Sequence, residues 1–116
     1  MKHLRKNRKF GRLADYRKTF LWNLVNNLIL KERIRTTKTR AKEIRKIVER
    51  AISRAKKDTV SNRRLLSKKL EPKAVVKLFK DIAPKYVSRN GGYTKVFKIN
   101  TRKNDAAEMV LIEFVK

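Results

Sequence analysis

The chain has 116 residues, with 34 Lys and Arg against 10 Asp and Glu and a formal charge of +24. A compact body so charged repels itself and is relieved by a dense polyanion, of which nucleic acid is the commonest. The 41% hydrophobic content excludes a disordered basic tail and allows one small core, and the lack of cysteine excludes disulfides and thiolate metal sites.

Residues 1–13 read as a basic arm. Lys2, Arg5, Lys6, Arg8, Lys9 and Arg12, with His3 among them, are interrupted only by Leu4, Phe10 and Leu13 as large apolar residues. No period of 2 or 3.6 is present, and a block of like charge stays extended until a counter-surface arrives. Residues 14–116 read as a single compact domain. No secretory h-region follows the basic start, so no leader is expected. The most apolar stretch, Phe20 to Leu30, is broken by three Asn. It is also shorter than the roughly 20 apolar residues that a bilayer span needs.

The first predicted helix opens at Asp15, which suits a helix N-terminus as a cap and as a charge. Tyr16, Phe20, Leu21, Leu24, Val25, Leu28 and Ile29 recur at three-to-four spacing and form a core stripe. Trp22 falls off that stripe and either covers another edge of the core or stacks on a base. Residues 33–37 are short and β-branched, and read as an edge strand. Thr37 or Thr39 then caps a second helix, with Ala41, Ile44, Val48, Ala51, Ile52 and Ala55 on its apolar face. Its other faces carry Lys38, Arg40, Lys42, Arg45, Lys46, Arg50, Arg54, Lys56 and Lys57, opposed by only Glu43 and Glu49. Like charges at i,i+4 cost stability, and a phosphate-facing surface explains why the helix accepts that cost.

Thr59 or Ser61 caps a short helix through Val60, Leu65 and Leu66. Pro72 fits the first turn of another helix, whose stripe is Val75, Leu78, Phe79 and Ile82 and which Pro84 stops. Asn90-Gly91-Gly92 is a turn. Tyr93–Ile99 and Glu108–Val115 then form a β-hairpin with Asn104 and Asp105 at its turn and Arg102 and Lys103 at its tip. The fold class is α+β: a basic arm, about four helices packed on a small mixed sheet, and a C-terminal hairpin.

Chemistry is sparse. His3 is the one histidine, and without a second His, a Cys or a carboxylate cluster it makes no metal site. The acids stand mostly alone among basic residues, Gly91-Gly92 opens no phosphate loop, and no cofactor or small-molecule substrate is expected. The chain reads as a non-enzyme. Cations spread along the whole sequence also argue against a membrane surface as the partner. No helix-turn-helix, zinc-finger or RNA-recognition signature is present, which leaves binding by shape and phosphate. The candidate RNA-binding residues are Lys2, His3, Arg5, Lys6, Arg8, Lys9, Arg12, Lys18, Lys38, Arg40, Lys42, Arg45, Arg63, Arg64, Arg89, Tyr93, Lys95 and Arg102. Tyr93 is read either as a base or ribose contact beside the bulk-free glycines or as a half-buried strand residue. Tyr86 is read as packing.

Met1-Lys2-His3-Leu4-Arg5 with Arg8-Lys9-Phe10 and Arg12, then Asn23-Leu24-Val25 with Leu28-Ile29, form two ordered blocks. Ile34-Arg35-Thr36-Thr37, Ala41-Lys42-Glu43 with Arg45, Arg63-Arg64, Lys77-Leu78-Phe79 and Ala83-Pro84 with Tyr86 continue them. Arg89-Asn90-Gly91-Gly92-Tyr93-Thr94-Lys95 and Ile112-Glu113-Phe114-Val115 complete the series. In this order, over essentially the whole chain, they resemble the bacterial-type large-subunit ribosomal protein L17 family. Asn104 stands where the family usually has Gly, and a tolerance of Asn for the left-handed region would preserve the turn. Lys95 and Phe114 replace the more usual Arg and Leu.

The resemblance implies a compact α+β domain whose extended N-terminus is buried in large-subunit ribosomal RNA. It implies a place near the polypeptide exit side beside other ribosomal proteins, a structural role without catalysis, and a bacterial cytoplasm, with an organellar ribosome possible. Two other readings are a DNA-binding architectural protein and a small nuclease. Neither accounts for the ordered blocks.

Overall fold

The computed structural model describes residues 10–115. Most of the arm, with candidates Lys2, His3, Arg5, Lys6, Arg8 and Lys9, lies outside the described residues. The elements run α1 (Ala14–Lys31), β1 (Arg33–Thr37), α2 (Lys38–Ala55), α3 (Val60–Ser67), α4 (Pro72–Lys77), β2 (Thr94–Lys98) and β3 (Met109–Phe114). Among the described residues no helix is long and apolar enough to cross a membrane.

The sheet has the order β1-β3-β2, and both pairings are antiparallel. This corrects the expectation of a mixed sheet. β1 and β2 do run in the same direction, but β3 lies between them and takes both partners. Alternation sorts the strands into two faces. Ile34, Ile112 and Val96 align across the inner face, and Arg35, Leu111 and Phe97 across the outer one. α2 packs against all three strands, while α1 packs against α2, α4 and β1. The core therefore lies between the inner sheet face and the helices.

α2 follows its sequence pattern closely. The Thr37 side chain caps it by accepting from the Arg40 N–H at 3.5 Å, and all six residues of the expected apolar face are buried. Thr59 caps α3 in the same way, accepting from the Asn62 N–H at 3.1 Å. α1 departs from its pattern in two respects. Leu13, not Asp15, holds the cap position and makes no side-chain cap bond, and Asp15 sits in the first turn, where its charge still meets the positive helix end. Tyr16 is 66% exposed, so the stripe buries Val25, Leu28 and Ile29 but not its first turn.

Pro84 does not end the fourth helix as expected. The chain passes through a π turn at Leu78–Ile82, where the Ala83 N–H reaches back to the Leu78 carbonyl, and then a 3-10 turn over Ala83–Tyr86. Pro84 occupies the start of the 3-10 turn, where a missing N–H costs no bond. The widened turn keeps Leu78, Phe79 and Ile82 all buried.

Three polar links cross the core. Asn26 is buried, and its side-chain oxygen accepts from the Glu71 N–H at 2.9 Å, tying α1 to the start of α4. The Lys77 ammonium donates to the Leu30 carbonyl at 2.7 Å, satisfying a carbonyl at the end of α1. The Tyr86 hydroxyl donates to the Val115 carbonyl and pins the chain just after β3. Burial pushes the Tyr86 phenol above its ordinary range.

Candidate nucleic-acid interface

The cations of α2 divide by helical position. Lys46, Arg50 and Arg54 follow one another at steps of four, so they form a single stripe about 12 Å long, and Lys57 follows just past the helix end. With Glu49, Asn62, Tyr93 and the Asn90-Gly91 loop they line an open groove of about 830 Å³. Lys46 has a loose partner in Glu43 at 3.9 Å. Among the described residues no acidic group pairs with Arg50, Arg54 or Lys57.

The far wall of the groove is held by a buried clamp. Tyr93 is 1% exposed, and its ring packs against Tyr86 with centroids 5.3 Å apart. Its hydroxyl accepts from the Lys56 ammonium at 2.9 Å and from the Ser53 hydroxyl at 3.4 Å, and donates to the Arg89 carbonyl at 3.1 Å. Lys56 also donates to that carbonyl. The hydrogen bond from Lys56, helped by that from Ser53, holds the Tyr93 phenol below its ordinary range. Tyr93 packs in the core, more deeply than the half-buried reading expects, and its ring is not presented at the surface. Gly91 and Gly92 have φ of +154° and +64°, and an added Cβ would meet nothing within 4 Å. Their role is to turn the backbone into the wall and not to clear bulk.

The other candidates scatter. Arg12 lies over the Phe20 ring at 4.0 Å, and Arg40 approaches the same ring at 5.0 Å. Phe10 packs 5.8 Å from Phe20, so the root of the arm folds onto the starts of α1 and α2. Lys38 pairs with Glu108 at 3.4 Å, Arg45 with Glu49 at 3.7 Å, and Lys95 with Glu113 at 3.5 Å. Arg63 grips Asp58 with both ends of its fork, one bond being 2.8 Å, while its guanidinium covers Phe79 at 4.9 Å. That hydrogen bonding holds the Asp58 carboxyl below the usual carboxylate range. Arg102 pairs with Asp105 at 3.1 Å inside the hairpin loop. Lys18, Lys42, Arg64 and Arg89 are exposed.

The outer sheet face supplies cations that the candidate set omits. Arg33 and Arg35 of β1 are exposed there, beside Phe97 at 44% exposure. Arg50, Arg54 and Lys57 were legible as α2 cations but not as one groove, and Lys56 was not legible as its support. Only the docking of residues 89–93 onto α2 separates these roles. Among the described residues no group of His, Asp or Glu is placed to hold a metal ion. The arrangement is suited to binding a chain of phosphates.

A model of the family "Ribosomal protein L17" matches residues 20–115. The large ribosomal subunit protein bL17 of Fusobacterium nucleatum subsp. nucleatum is 52% identical over 116 residues, covering 99% of this chain and 100% of that protein. The bL17 protein of Chlorobium phaeobacteroides is 47% identical over 116 residues, with coverage of 99% and 70%. That of Clostridium botulinum is 48% identical over 109 residues, with coverage of 93% and 96%.

Proposed function

The chain belongs to the ribosomal protein L17 family, structural constituents of the ribosome and not enzymes, and we propose that it holds large-subunit ribosomal RNA by neutralising phosphates along the α2 groove. The observation that carries this reading is the stripe Arg50, Arg54 and Lys57, which has no acidic partner among the described residues and faces an open groove. RNA segments brought close repel one another, and cations fixed on a helix reduce that repulsion. Each phosphate neutralised also releases condensed counterion, which makes the binding salt-dependent.

The arm, Lys2 to Arg12, serves as a second anchor on RNA, a reading supported by its run of cations in the sequence. A position near the polypeptide exit side beside other large-subunit proteins, in a bacterial cytoplasm, rests on the family resemblance. The outer sheet face, with Phe97 and Leu111 between Arg33, Arg35 and Lys95, offers mixed chemistry for a neighbouring protein or an RNA backbone.

Sedimentation of tagged protein through a sucrose gradient in Mg²⁺ with stepped salt tests the proposal. Stoichiometric migration with the large subunit, retained at salt that strips loosely held proteins, is expected. Migration at the top of the gradient or with nucleoid DNA would overturn it.

A further inference from the structure

Beside the phosphate groove lies a second concavity of about 360 Å³, enclosed by α1, α2 and α3. Trp22, Ile47 and Leu65 give it an apolar lining, and Arg50, Arg54 and Lys69 are the cations at its rim. Arg50 and Arg54 line both concavities, so one ridge of guanidinium groups separates them.

The aromatic floor is distinctive. Phe20, Phe79, Phe97 and Tyr93 each have a cation over the ring. Trp22 is half-buried, yet among the described residues no cation or second ring stacks on it. Its indole packs against the core and lines a cleft whose rim is cationic. Indole is the strongest of the natural side chains for cation and base stacking. The cavity sits at the small end of the range for ligand sites, which suits one planar ring system and not a larger metabolite.

We propose that this cleft receives a single unpaired nucleobase, stacked on Trp22, from an RNA strand whose phosphates lie on the Arg50–Arg54 ridge. The inference rests on the phosphate-groove reading and adds to it a preference for RNA with an extruded or bulged base. Proteins recognise RNA most readily where bases are unstacked and can be splayed onto aromatic groups. The shared ridge puts the cations that would hold the backbone in the same cleft lining as the indole.

The test uses the full chain and two RNA hairpins that differ only in one bulged purine. Trp22 is the single Trp in the sequence, so its emission reports on the cleft without labelling. Binding is followed in parallel by anisotropy of labelled RNA. The bulged RNA is expected to bind more tightly, to quench Trp22 emission and to shield it from acrylamide. Trp22→Leu is expected to lose that preference, by roughly 5- to 150-fold, while keeping the affinity and salt slope for the paired hairpin. If both RNAs bind alike and emission does not change, the cleft is not a base site although the groove reading stands. If neither RNA binds, both readings fall. Emission of the unaltered chain decides the matter even where Trp22→Leu fails to fold.

Discussion

Converting Arg50, Arg54 and Lys57 together to Gln removes three exposed cations from the groove wall formed by α2 and the residues just after it. Each phosphate neutralised contributes about 0.7 to 0.9 to the slope of log affinity against log salt, depending on whether the RNA is single-stranded or paired. Loss of three such contacts should therefore flatten the slope by about 2 to 3. Between about 50 and 200 mM salt, the advantage of the native chain over the variant should shrink by roughly 20- to 40-fold. The fold should not suffer. Gln has a helix propensity close to those of Lys and Arg, and removing the like-charged pair at positions 50 and 54 relieves about 0.2–0.5 kcal/mol of repulsion. The assay is anisotropy of a labelled structured RNA at stepped salt, with thermal melting of the free proteins alongside. An unchanged slope with an unchanged melt would refute the groove assignment. If Arg33→Gln with Arg35→Gln flattened the slope instead, the phosphate track would lie on the outer sheet face.

Ile112 is fully buried at the centre of β3, so Ile112→Ala should cost about 2–5 kcal/mol in urea unfolding. A loss under 1 kcal/mol, read with an unchanged m-value, would mean that the helices do not close on the sheet as described. Ala106 has φ of +55°, so Ala106→Gly should stabilise by about 0.5–1 kcal/mol, and a destabilised melt would show that the hairpin loop is built differently. The Arg63 hydrogen bond depresses the Asp58 carboxyl in the folded protein, so its stabilising contribution is present above the ordinary carboxylate range and fades as pH falls through the depressed value. Melting followed on acidification below about pH 4 should be steeper for the native chain than for Asp58→Asn. Parallel curves would remove the pair from the account.

The hydrophobic period of α2 named its six buried residues because the sheet, α1, α3 and the turns after α4 all pack against that helix. The same reasoning placed Tyr16 in the core and failed. Periodicity identifies the face a helix buries, but not where along the helix its neighbours stop. At Pro84 the missing N–H was legible, whereas the slip of the hydrogen-bond ladder into a π turn was not, since it keeps Leu78, Phe79 and Ile82 buried together. The left-handed residue of the hairpin loop is Ala106 and not Asn104. There the Asp105 carboxylate accepts from the Ala107 N–H and from Arg102, and this network outweighs the local preference of Asn. The site was legible as charge and not as place. Which α2 cations share a groove depends on Lys56 meeting residues 89 and 93, more than thirty positions away.

The middle strand of the sheet is the last of the three in sequence, and this sets an order on synthesis. β1 emerges early, yet its partner residues are 109–113, so it has no pairing until those residues have been made, more than seventy positions later. The first helices can begin to associate as they appear, whereas sheet closure waits for β3. A chain that stops before residue 109 would lack the central strand and leave β1 and β2 without the partner they share. Such fragments would be open to degradation before they could occupy RNA. The topology thereby makes closure of the core wait for β3.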